Sequence, residues 1–129
     1  MKFMFFSILA LFFFTGCSKL SDTEKPKITI TSPVQNDTIA GSISEVQMEF
    51  IATDNATLST FILEITDNNG SSLFADSKQI YGSSYSYKNS FVVLKHPLKT
   101  KELTMIVHIV DEAKNETISS TTFYLAPAN

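Results

Sequence analysis

From Lys27 onward the chain alternates apolar and polar positions with a period of two, and clusters of Gly, Pro, Asn, Asp and Ser interrupt the alternation. KITIT (27–31) puts Ile28 and Ile30 on one face before Ser32-Pro33 stops it. SEVQMEFIATD (44–54) sets Val46, Met48, Phe50 and Ala52 against Glu45, Gln47 and Glu49. STFILEITD (59–67) sets Phe61, Leu63 and Ile65 against Thr60, Ile62, Glu64 and Thr66. Asn68-Asn69-Gly70 then predicts a turn, because Asn and Gly tolerate positive φ. A short edge strand (72–76) follows, then a strand over 84–94 whose in/out phase the pattern leaves open. After the loop 95–102, LTMIVHIVD (103–111) carries Leu103, Met105, Val107 and Ile109 on one face. A turn at 111–115 leads into ETISSTTFYL (116–125). No window offers a ten-residue helical stripe, so seven strands predict an all-β, antiparallel β-sandwich over residues 27–126.

The first residues follow another rule. Lys2 is followed by an almost wholly apolar run, FMFFSILALFFF (3–14). Twelve helical residues span about 18 Å, short of the ~30 Å core of a bilayer, so a secretory signal peptide fits better than a membrane span. The run ends in Phe14-Thr15-Gly16-Cys17, which resembles the lipobox of bacterial lipoproteins, although Phe14 stands where leucine is commoner. The resemblance implies cleavage after Gly16 (residues 1–16 removed) and a diacylglycerol thioether, with fatty acyl chains such as palmitate, on Cys17. An ordinary secreted protein with a free thiol and an uncleaved anchor are the alternatives. Residues 17–26 then form the lipidated cysteine and a polar tether ending in Pro26. Asp22 and Glu24 faintly resemble a surface-export signal. Ser18, in place of the Asp that retains lipoproteins at the inner membrane, implies the outer membrane of a cell envelope.

Cleavage alters the composition. Six of the eleven Phe leave with the signal peptide, and Lys2 is the one charged residue lost with them. Nine lysines then face thirteen acids, a net charge of −4, with no Arg and no Trp. An acidic surface with scattered lysines argues against a nucleic-acid partner, which needs a basic stripe. The single cysteine cannot form an intrachain disulfide, so stability must come from a packed core.

PKITITSP (26–33), IATDNATLSTFILEITDNNG (51–70) and LTMIVHIVDEAKN (103–115) together resemble bacterial Ig-like domains, in particular small single-domain Ig-like lipoproteins of Bacteroidota type. The resemblance covers about residues 26–125. It implies a seven-stranded Ig-like sandwich and says almost nothing about function, since such sandwiches carry unrelated functions.

Catalytic motifs are missing. The glycines after residue 17 are Gly41, Gly70 and Gly82, so neither a phosphate-cradling loop nor a Gly-x-Ser-x-Gly elbow can be built. His96 and His108 lack the spacing of a metal pair; His108 falls on the outward face of its strand. A cation site has more support. In an Ig-type sandwich the loops 54–58 and 111–115 and the start of the first strand share one end, gathering Glu24, Asp54, Asn55, Asp111, Glu112 and Asn115. Oxygen ligands of this kind suit Ca²⁺, although Asp54 and the Asp111-to-Asn115 spacing also suit plain turn capping. Tyr81, Tyr85 and Tyr87 are candidates for stacking on a sugar or partner, with closure of a core edge as the commoner role. Lys95, Lys99 and Lys101 form a small basic loop. Thr38, in Asp37-Thr38-Ile39, resembles an O-glycosylation site of Bacteroidota.

The sequence therefore predicts a lipid-anchored envelope module without enzymatic activity or cofactor. Its role would be binding, adhesion or accessory, with an envelope protein or glycan as partner and the membrane reached through the lipid. The alternatives are a calcium-binding, cadherin-like structural module and a glycan-binding accessory protein. Lipid attachment next to the first strand would turn loops 54–58 and 111–115 toward the membrane and the loop around Lys95–Lys101 away from it.

Overall fold

Period-two alternation folds into strands because one face of each run can be buried only against another sheet. The computed structural model describes residues 21–40, 44–94 and 97–127. The signal peptide, Cys17, the first part of the tether, Lys95 and His96 lie outside the described residues.

Eight strands follow in order: β1 (Lys27–Ser32), β2 (Thr38–Ile39), β3 (Ser44–Thr53), β4 (Leu58–Asp67), β5 (Ser72–Gln79), β6 (Ser84–Val93), β7 (Lys101–Asp111) and β8 (Glu116–Leu125). They form a three-stranded sheet, β1-β3-β6, and a five-stranded sheet, β2-β8-β7-β4-β5. Two expectations are corrected. The described residues form eight strands rather than seven, and the sheets are not purely antiparallel, because β2 pairs in parallel with β8. Two residues are too few to show alternation, so β2 left no periodic trace in the sequence. It forms because the chain crosses from one sheet to the other after Pro33, where Asn36 N–H reaches Thr122 O (2.7 Å) and Tyr124 N–H reaches Asp37 O (2.8 Å).

The inward residues are those the alternation selects: Val46, Met48, Phe50 and Ala52 from β3, Phe61, Leu63 and Ile65 from β4, and Leu103, Met105, Val107 and Ile109 from β7. The open phase of β6 resolves with Tyr85, Tyr87, Phe91 and Val93 inward and Val92 outward. Phe50, Phe61, Tyr85 and Tyr87 form one ring cluster across the two sheets. Phe61 of the larger sheet meets Phe50 edge-on (5.7 Å) and Tyr87 edge-on (5.1 Å), and stacks with Tyr85 (5.5 Å). Phe50 stacks on Tyr87 at 5.1 Å. Between the edge strands β5 and β6, Phe74 stacks on Phe91 (5.7 Å) and Tyr87 Oη donates to Asp76 Oδ2 (2.8 Å). Rings of this size each bury 150–250 Å² or so, which gives the sheets a strong apolar seam without a disulfide.

The strand registers separate two ends. At one lie the β3–β4 loop, Tyr81 to Ser83, the β7–β8 turn and the start of β1; at the other lie the β4–β5 turn, the loop between β6 and β7, and the end of β8.

Candidate functional site

At the first end, three short segments converge. Asp54 follows the last residue of β3, and its N–H donates to Ser83 O (2.9 Å). Asp111 closes β7 and opens a five-residue turn in which Lys114 takes φ = 73°. Its Oδ1 accepts the N–H of Asn115 (2.8 Å), and its Oδ2 accepts Asn115 Nδ2 (2.7 Å). The third segment precedes β1. Asp22 O accepts Asn115 Nδ2 (3.1 Å), Asp22 Oδ1 accepts Asn55 Nδ2 (3.0 Å) and Glu24 N–H (3.1 Å), and Pro26 O accepts Thr117 Oγ1 (2.6 Å). Residues 22–26 are thereby held to the sandwich by side chains of the two loops and of β8.

The convergence gathers Asp22, Asp54 and Asp111, each with a carboxylate oxygen within 4.8 Å of one from the other two. Asp111 is fully buried. Both carboxylate oxygens of Asp54, and Oδ2 of Asp22, are closed to solvent and have no hydrogen-bond partner. Burial pushes the Asp54 carboxyl above its ordinary value, and the charges of Asp111 and Asp22 push the same way. The backbone N–H groups of Asn55 and Ala56 oppose this shift. Two unit charges about 5 Å apart repel by roughly 3 kcal/mol at an effective dielectric of about 20, so three together need a counter-charge or a proton. Among the described residues no lysine or histidine forms an ion pair with any of the three.

The other predicted residues distribute differently. Asn55 and Asn115 hold Asp22 in place, while Glu112 and Glu24 are exposed and outside the cluster. Asp111 does cap its turn, as the commoner role of the Asp111-to-Asn115 spacing requires, and faces the cluster as well. Tyr87 is buried and Tyr85 partly so, both within the ring seam, so neither offers a free face for stacking on a ligand. Tyr81 is exposed, with Oη near Gln79 Oε1 (3.4 Å). Lys101 pairs with Asp67 (2.8 Å) at the other end and is not part of a free basic loop. Lys99 is exposed. Thr38 is exposed on β2, its N–H on Asp37 Oδ1 (2.9 Å). His108 Nε2 meets Glu116 Oε2 (2.8 Å) on the outer face of the sheet.

Sequence reasoning assigned the acid before β1 to Glu24, yet Asp22 occupies the cluster. The signal available was an Asx turn. Asp22 accepts the N–H two residues on, and this bends the chain so that Asp22, not Glu24, faces Asp54 and Asp111.

No family model matches the chain, and no curated protein matches it. Among solved structures it is similar to catalytically inactive OgpA from Akkermansia muciniphila in complex with an O-glycopeptide (glycodrosocin) substrate, with a TM-score of 0.52 at 12% identity. The match covers 85% of this chain and 32% of that one, so this chain spans about a third of OgpA. The likeness reaches the fold alone.

Proposed function

We propose that the chain is a lipid-anchored, non-catalytic Ig-like module of a bacterial cell envelope, held to the outer membrane through Cys17 and serving a binding or accessory role. The observation that carries it is the fixing of residues 22–26 against one end of the sandwich. A chain that leaves the domain there, a few residues after a lipobox cysteine, turns that end toward the membrane and the opposite end away from it. The away-facing end exposes Leu94 and Leu98 beside Lys99, a surface suited to an envelope protein. Strand order supports the Ig-like part. β1-β3-β6 and β8-β7-β4-β5 correspond to A-B-E and G-F-C-C′, with β2 as a short A′ strand beside G.

OgpA holds an O-glycopeptide, but that likeness reaches the fold alone, so glycan capture stands as the alternative. Intact mass of the protein extracted from its own membranes tests the anchor. A diacylglyceryl adduct on Cys17, lost together with membrane association in Cys17→Ser, is expected. An unmodified, soluble wild-type protein would sink the proposal. Cross-linking from Leu98 and a glycan array separate the two partners.

A further inference from the structure

We propose that Asp22, Asp54 and Asp111 form a calcium site that clasps the segment before β1 to the end of the sandwich. Three observations on different atoms converge on it. The carboxylates come from three separate segments and lie within 4.8 Å of one another. Three of their oxygens, Oδ1 and Oδ2 of Asp54 and Oδ2 of Asp22, are sealed from water without a hydrogen bond, a state that costs free energy unless something binds them. The remaining oxygens are engaged in ways that aim these inward: Asp22 Oδ1 by Asn55, and both oxygens of Asp111 by Asn115.

The donor set selects the ligand. All candidate donors are carboxylate oxygens, hard ligands without a thiol or imidazole among them, and they carry three formal charges. Such a set favours a divalent cation over a soft transition metal. Asp54 can bind through two oxygens, with the carboxylates of Asp22 and Asp111 beside it. An incomplete, irregular oxygen shell of this kind, finished by water, suits Ca²⁺ better than Mg²⁺, which demands near-octahedral geometry.

A mechanical consequence follows, and this part rests on the lipid-anchor reading. With Asp22 clasped, only residues 18–21 separate Cys17 from the domain, an extended reach of about 14 Å. With the clasp open, residues 18–25 are released up to Pro26, which Thr117 still holds, and reach about 27 Å. Calcium would then set how far the sandwich stands from the membrane.

The test uses the full protein purified in detergent and stripped with EGTA, melted with EGTA, CaCl₂ or MgCl₂ and titrated by calorimetry. Calcium a hundredfold above its Kd is expected to raise the melting temperature by on the order of 10 °C. That shift should vanish in Asp22→Asn and in Asp54→Asn. In EGTA, Asp54→Asn should melt no lower than wild type, since it removes repulsion, so its lost response cannot be ascribed to misfolding. Glu-C cleavage after the exposed Glu24 should slow severalfold in calcium. An absent calcium shift, a shift retained in both variants, or an equal response to magnesium would overturn the calcium site; unchanged Glu-C cleavage would overturn the clasp. Acyl mass on Cys17 is read separately, so failure of the anchor and failure of the site are distinguishable.

Discussion

Asp67 and Asp111 occupy the same position in two five-residue turns at opposite ends of the larger sheet, and among the described residues only Asp67 pairs with a cation. In each turn Oδ1 accepts the N–H four residues on, Ser71 (2.9 Å) and Asn115 (2.8 Å), and the residue before that one has positive φ, Gly70 at 79° and Lys114 at 73°. Asp67 Oδ2 meets Lys101 Nζ at 2.8 Å. Asp111 Oδ2 instead meets Asn115 Nδ2, and its carboxylate lies beside two others. The same local device thus closes one turn with a built-in positive charge and leaves the other beside a cluster of negative ones.

Asp67 should make stability depend on pH at the acid end. The hydrogen bond from Lys101, with those from Ser71 and Asn69, holds its carboxyl below the usual carboxylate range. A depressed folded pKa means the stabilisation is present above the unfolded value near 3.8 and lost as pH falls through the lower folded value. Melting curves of wild type and Asp67→Asn should therefore differ by several degrees at neutral pH and converge as pH falls below about 3.8. A difference independent of pH would contradict the ion pair.

At the basic end Tyr87 should behave in the opposite sense. Burial is the main cause raising its phenol to about 12, with Asn89 opposing and Asp76 adding to the shift. A raised folded value means the stabilisation is present below the ordinary value near 10 and lost as pH rises through about 12. Ultraviolet titration should show one phenol ionising roughly two units above an exposed tyrosine, and Tyr87→Phe should remove that step.

Exchanging turn residues should give opposite signs. Gly70→Ala forces a side chain into the left-handed region and should destabilise by about 1 kcal/mol, with no steric clash contributing, since nothing lies within 4 Å of the added carbon. Lys114 already carries that strain, so Lys114→Gly should be neutral or stabilising by up to about 1 kcal/mol. Urea denaturation at neutral pH measures both.

Phe61 should be the most costly single truncation. It is the ring of the larger sheet that meets Phe50, Tyr85 and Tyr87 of the smaller sheet together. Phe61→Ala should cost about 3–5 kcal/mol by urea denaturation, whereas the outward Ile62→Ala should cost far less. Equal losses would mean the sheets do not meet through this seam.

Period-two alternation alone located the seven longer strands and chose the buried faces of β1, β3, β4 and β7, because each such choice of face is local, whereas it left the phase of β6 open. Val46 to Ala52 and Leu103 to Ile109 are buried as their spacing requires. The turn at Asn68-Asn69-Gly70 was equally legible, since positive φ is a property of one residue. Other features are properties of pairs far apart in the chain, and only the tertiary structure decided them. β2 exists because β8 lies beside it. Tyr87 became a core ring because Phe50 and Phe61 stand opposite. Lys101 lost its place in a basic loop because the β4–β5 turn brings Asp67 to it. Asp22 joined Asp54 and Asp111 across 32 and 89 residues because Asn55 and Asn115 hold its segment down. Burial that follows from alternation can be read along a strand, but charges gathered from three segments appear only once the strands have brought the segments' ends together.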